Sequence, residues 1–293
     1  MKLLIDPTGG MAGDMFAAGL VSAGADFHLM QQAMLAAAEK LGAAEITLNK
    51  TEENAAQLSI FLDSKRTHLA GSEARHILHH LFEQFAIKNE YRLLGQRILD
   101  ILVKAEKQAH IEFNIFIQGD HHHSQHHSHG HSHDHSHNHA HDHSHDHENN
   151  RSNDSFHSHP HTDYDETFLH EAQDIVIDIL GAVVGMQLLN VEPTAALTGP
   201  ISVGGGYVFC SHGKLNIPAP ATTVILREHG LPWQKGPLER ELLTPTGAAI
   251  LAGLNCHVAN PQDYLAKNNT ITGYARGTKI LPIPPLELRL YSD

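Results

Sequence analysis

Apolar and polar positions change period several times along the chain, and each change predicts an element. Lys2–Ile5 is a short apolar run that reads as a buried strand, ended by the turn Asp6-Pro-Thr-Gly-Gly10. A helix is expected from about Ala12 to Ala23. Asp26 caps a second one through Leu41, with Gly42 as its stop. Glu45–Asn49 and Gln57–Asp63 alternate as strands do. Ser72 is expected to cap a helix through Phe85, whose buried stripe is Ile77, Leu78, Leu81, Phe82 and Phe85. His76 and His80 share another face of it, best read as exposed and polar. A longer helix covers Lys88–His110.

The pattern resumes after residue 163. Ala172–Val191 is apolar but carries Asp174, Asp178 and Gln187, which suits a buried helix and not a membrane span. If that helix starts early, His170, Asp174 and Asp178 fall at i, i+4 and i+8 on one face, with Glu171 beside them. Pro200–Gly206 reads as a strand and a flexible loop. Tyr207–Ser211 and Lys214–Ile217 form a hairpin that puts Cys210 and His212 on one side. A helix is expected from Pro218 to about His229 and a strand at Leu238–Leu243. Thr244-Pro-Thr-Gly247 then caps a helix to Leu254, and a strand covers Glu287–Tyr291. Helices and short strands alternate irregularly, which predicts an α+β fold of mixed layers, with α/β the alternative. The expected organisation is residues 1–113 as the first half of the folded region, 114–163 as an insertion and 164–293 as the second half.

The insertion has no hydrophobic pattern. His121–His161 holds eighteen of the 28 histidines. At its centre every second residue is His: His129, His131, His133, His135, His137, His139, His141, His143, His145 and His147. A segment with so little to bury is expected to be disordered. Neutral imidazole binds Ni, Zn and Cu, so these ten are candidate metal ligands. The repeat predicts transition-metal binding that weakens below about pH 6.5 as His protonates. The tract is internal and interrupted by Ser and Asp, unlike a purification tag.

Composition narrows the classes further. The formal net charge of −13 argues against a nucleic-acid surface. Two cysteines form no disulfide framework and fit a reducing cytoplasm. The N-terminus, broken by Asp6 and Asp14, makes a poor signal peptide, and no segment predicts membrane insertion.

Candidate chemistry is spread along the chain. Asp14 near a helix start is ordinary dipole complementation, or else a metal ligand together with Asp6. The Gly9-Gly10 turn and the helix start at Thr244, Thr246 and Gly247 are candidate phosphate cradles, although simple capping looks the same. Acidic groups on the apolar helix of Asp174 and Asp178 are costly to bury unless they are paired or bind a metal.

Seven motifs in order resemble the LarC-type nickel-insertion family. They are Asp6…Thr8-Gly-Gly-Met-Ala-Gly-Asp14-Met, Arg66-Thr-His68-Leu, Ala105-Glu-Lys-Gln-Ala-His110, His170-Glu171…Asp174…Asp178-Ile, Cys210-Ser-His212-Gly with Pro218-Ala-Pro-Ala-Thr, Glu241-Leu-Leu-Thr244-Pro-Thr-Gly247-Ala, and Gly273-Tyr-Ala-Arg-Gly-Thr278. The resemblance implies a lyase-class enzyme that inserts Ni²⁺ into pyridinium-3,5-bisthiocarboxylic acid mononucleotide. Nickel joins two sulfurs and the ring carbon between them, with CTP and Mg²⁺ or Mn²⁺ required. It suggests that the tract passes Ni²⁺ to a site near His170, with Glu171, Asp174 or Asp178 removing the ring proton and Cys210 or His212 as transient ligands. The family shows His-x-His-Glu where this chain has Phe168-Leu-His170-Glu171. Family chains also continue into a nucleotide-associated C-terminal region, so the resemblance implies a separate partner for that part or loss of the CTP-dependent step. The alternative is a cytosolic nickel or zinc store or metallochaperone without catalysis. A metal-dependent hydrolase built on Asp6, His170 and Asp174 is a third reading.

Overall fold

The structure is a computed structural model that describes residues 1–64, 68–113, 115, 167–170, 174–210, 213–264 and 270–292. The alternating histidines expected to bind metal, His129, His131, His133, His135, His137, His139, His141, His143, His145 and His147, lie outside the described residues. So do the expected disorder of their tract, and Glu171 and His212. In chain order the elements are β1 (Lys2–Asp6), α1 (Gly13–Ser22), α2 (Phe27–Ala38), β2 (Ala43–Lys50), β3 (Ala56–Asp63), β4 (His68–Ala70), α3 (Gly71–Gln84) and α4 (Asn89–Glu112). There follow β5 (Phe168–His170), α5 (Ile175–Leu188), β6 (Ala195–Leu197), β7 (Ile201–Ser202), β8 (Tyr207–Cys210), β9 (Gly213–Asn216) and α6 (Pro220–Glu228). The last are β10 (Trp233–Gln234), α7 (Pro245–Gly253), β11 (His257–Val258), α8 (Pro261–Tyr264), β12 (Ile271–Ala275) and β13 (Leu286–Tyr291). The α+β expectation holds.

Among the described residues, a seven-stranded sheet runs in the order β11-β6-β1-β13-β12-β3-β2. Strands from before and after the tract share it. β1 pairs antiparallel with β13, Leu4 opposite Arg289, and parallel with β6, Leu4 opposite Ala196. Leu3, Leu4 and Ile5 are all buried, as expected of a strand flanked on both edges and covered on its faces.

Helices stack on one another beside this sheet. α1 packs on β3, β12 and β13, and α2 on β2. α5 lies against α1 and α2 on one side and α4 on the other, and α4 in turn meets α3, α6 and α7. α5 is buried at every position from Ile175 to Met186, so it is apolar all round and occupies the centre of the helical layers. The expected stripe of α3 is buried at Ile77, Leu78, Leu81 and Phe82, and His76 and His80 are exposed.

Three local expectations are corrected. Residues 168–170 are a strand and not helix, because they pair with β4, His68 opposite His170 and Ala70 opposite Phe168. The helix therefore starts at Ile175, and His170 cannot share a helical face with Asp174 and Asp178. Ser72 lies inside the first turn of α3, with Ala70 in the capping position, since β4 runs straight into the helix. Leu238–Leu243 forms only isolated bridges, Glu241 to Gly204 and Leu243 to Met11, so no continuous strand develops there. No helix among the described residues is long and apolar enough to cross a membrane.

Candidate functional site

The turn after β1, the turn after β12 and the starts of four helices surround one cavity of about 430 Å³, a size that suits a small-molecule ligand. Ala12–Met15 bring in the N-terminus of α1, Asp174 and Ile175 that of α5, Ala219–Ala221 that of α6, and Thr244–Thr246 that of α7. Each helix start carries partial positive charge, so the four together favour negative groups in this space.

Three of those negative groups are aspartates of the chain itself. Asp14 lies in the first turn of α1, Asp174 occupies the position before α5 without a side-chain capping hydrogen bond, and Asp178 lies in the first turn of α5. All three line the cavity. Asp178 is only 4% exposed, and its buried Oδ1 has no hydrogen-bond partner. An ionised oxygen in that state is costly, and a cation in the cavity would remove the cost. Burial pushes the Asp178 carboxyl well above the usual range, and the charges of Asp174 and Asp14 push it the same way. Burial raises Asp14 to about 6, opposed by the Met15 amide at 2.8 Å and reinforced by Asp174. Burial raises Asp174 as well, although part of that residue faces solvent.

Gly13 makes this arrangement possible. A Cβ at position 13 would lie 2.1 Å from Asp178 Oδ2, so the start of α1 approaches the carboxylate as only glycine allows. The Asp178 amide bonds back to the Asp174 carbonyl at 2.8 Å, which fixes the spacing of the two acids in the first turn of α5.

The candidate phosphate cradles reach the same cavity in part. Gly9, Thr244 and Thr246 line it. The Gly10 amide bonds to Pro7 O at 3.0 Å, and the Met11 amide to Leu242 O at 2.8 Å. At the start of α7, Thr244 Oγ1 accepts from the Gly247 amide at 3.2 Å, so Thr244 and Gly247 cap the helix while presenting its first turn to the cavity. Asp6 does not line the cavity; it accepts from the amide and hydroxyl of Thr8. Only the backbones of His170 and Cys210 are described, in β5 and β8. Cys256 is buried, and burial pushes its thiol far up, which leaves no thiolate to offer a metal. Among the described residues, no group of three His, Cys, Asp or Glu side chains is already arranged around a metal position.

Sequence reasoning passed over several lining residues. Arg276, on the turn after β12, is held by Glu53 and by the carbonyls of Leu281 and Ile283, so its position is fixed at the rim. Lys279 and Glu241 also line the cavity, and Lys279 offsets part of the upward push that burial gives Glu241. Glu106 of α4 faces in as well. Arg276, Glu241 and Glu106 all fall within the seven ordered motifs, which was the available signal.

An α+β fold whose cavity joins three aspartates to several helix N-termini has the chemistry to suit a cation beside an anionic group. The chain belongs to the nickel insertion protein family, whose model matches residues 3–292. It is 29% identical over 290 residues to a putative nickel insertion protein of Methanothrix thermoacetophila, covering 97% of this chain and 57% of that one. It is also 42% identical over 131 residues to the pyridinium-3,5-bisthiocarboxylic acid mononucleotide nickel insertion protein of Desulfitobacterium hafniense, a match over 44% of this chain and 31% of the relative. The chain spans little more than half the length of the Methanothrix relative. No solved structure gives a significant match.

Proposed function

We propose that this chain carries out nickel insertion into pyridinium-3,5-bisthiocarboxylic acid mononucleotide, the substrate named for its Desulfitobacterium relative. The observation that carries the reading is the unpartnered, buried oxygen of Asp178, a residue that lines the cavity together with Asp14 and Asp174. Ni²⁺ is a substrate here, and the three carboxylates receive it. The mononucleotide phosphate lies toward the starts of α6 and α7 and Thr246, where helix dipoles favour it. Arg276 and Lys279 compensate the remaining negative charge. Nickel replaces the ring hydrogen between the two thiocarboxylates, so a ring carbon–nickel bond forms and a proton is released.

The His-rich tract loads nickel from solution in the cytoplasm through the imidazoles of its alternating repeat, as a segment separate from the two halves that flank it. His170, Cys210 and His212 serve as transient ligands during delivery, and Glu171 as an auxiliary proton acceptor. The lyase class, the requirement for CTP with Mg²⁺ or Mn²⁺ and cooperation with a separate C-terminal partner belong to the same proposal.

The test supplies the mononucleotide, Ni²⁺ and CTP to the chain, with and without residues 121–161, and follows the nickel-containing product by mass spectrometry. Product from both forms is the expected result. If nickel binds stoichiometrically and no product forms, with or without the family's C-terminal region added, the reading fails. The second reading, a nickel store or metallochaperone favoured by the tract itself, then takes its place.

A further inference from the structure

Glu106 projects from α4 into the wall of the same cavity, one helical turn before His110. Its side chain is 16% accessible, and its partner is His110 Nε2 at 4.0 Å. No Arg or Lys among the described residues forms an ion pair with it. Its surroundings are largely apolar, with Ala109, Ile115, Val208, Leu215 and Ala219 in the same lining. A carboxylate is costly there. Burial is the cause of its raised pKa, about 7. The charged groups facing the cavity are Asp14, Asp174, Asp178, Glu241, Arg276 and Lys279. The three aspartates sit at the starts of α1 and α5, whereas Glu106 comes from α4, and burial is the cause of its shift.

The insertion needs a base besides the groups that hold nickel. When the ring C–H bond breaks, its electron pair goes to Ni²⁺ and its proton must go elsewhere. Carboxylates that hold nickel have committed their lone pairs to the metal. We propose that Glu106 accepts the ring proton and hands it to solvent by way of His110. A base whose pKa lies near neutrality suits this transfer, and burial, which lowers the pKa of His110, favours its release of the proton to solvent once passed on. This inference rests on the nickel-insertion reading above.

The test compares the full chain with Glu106→Gln, Glu106→Asp and Asp178→Asn, using substrate carrying hydrogen or deuterium at the reacting carbon. Glu106→Gln should bind Ni²⁺ and the mononucleotide within about twofold of the parent by calorimetry, yet insert nickel at least about 10²-fold more slowly. Glu106→Asp should recover part of that loss, and the parent should show a primary deuterium isotope effect. Asp178→Asn should instead lose the nickel bound in the cavity, read by calorimetry on forms lacking residues 121–161 so that the tract's own binding does not hide the loss. Insertion by a folded Glu106→Gln within about threefold of the parent overturns the inference and leaves the nickel-insertion reading standing. So does a loss confined to substrate binding. Failure of the parent itself to form product, under all conditions above, removes both.

Discussion

Carboxyl groups whose pKa values burial raises tie the stability of the metal-free protein to pH. Asp14, Asp178 and Glu106 have folded values above their ordinary ones, to about 6 for Asp14 and about 7 for Glu106. Between an unfolded value near 4 and the folded value, the native state holds more protons than the unfolded chain, so stability falls as pH rises through that window. The ion-paired Glu112 and Glu228 are shifted down and act only below their usual value. The metal-free protein should therefore melt at a higher temperature at pH 5.5 than at pH 8, and Asp178→Asn should flatten that slope. At pH 8 the substitution should raise Tm by a few degrees, on the order of 1 kcal/mol. It should also abolish the rise in Tm that Ni²⁺ gives the parent. Thermal denaturation across pH, with and without nickel, measures both effects.

At the scale of elements, the contact between α1 and α5 explains why glycine occupies position 13. Ala at an exposed helical position normally stabilises by about 1 kcal/mol. Gly13→Ala should do the opposite, lowering Tm by several degrees and weakening nickel binding at least tenfold, because its Cβ meets Asp178. Titration of a tract-deleted protein with Ni²⁺ reads the second effect. Thr244→Ala should cost about 1 kcal/mol through loss of the cap on α7, and Thr244→Ser should restore it. Chemical denaturation measures that pair.

The same elements show what the sequence made legible. α2, α3 and α4 follow from 3.6-residue periodicity, and Asp26 caps α2 as expected, accepting from Leu29 at 3.1 Å. Residues 168–170 do not reveal themselves, since their strand exists only through pairing with β4, about a hundred residues earlier. The two-residue strands β7, β10 and β11 are too short to carry a period. Asp14, Asp174 and Asp178 could each be picked out as an acid near an apolar helix. Their convergence could not, because it depends on α1 and α5 meeting across more than half the chain. Glu106 was hidden for another reason: on an amphipathic helix it reads as one more solvated charge.

For the whole molecule, the proposed function divides the handling of nickel between the tract and the cavity. Deleting residues 121–161 should lower the number of Ni²⁺ ions bound per chain at pH 7.5 by several and leave the binding that depends on Asp178. It should change Tm by no more than a few degrees, because the described elements pack without it. At pH 5 the full chain should lose the tract's share of its nickel as imidazole protonates. Equilibrium dialysis of both forms at the two pH values checks the division.

The pairing of β1 with β13 carries a kinetic consequence. Lys2 lies opposite Tyr291, and β6, on the other edge of β1, also follows the tract. During synthesis β1 leaves the ribosome long before either neighbour exists. The imidazole repeat emerges while the sheet is still missing its middle. On the proposed reading, a nascent chain gathers metal before the cavity has closed, and completion of the sheet must await β13. Contacts so distant in sequence predict slow folding and a long-lived intermediate that exposes β1.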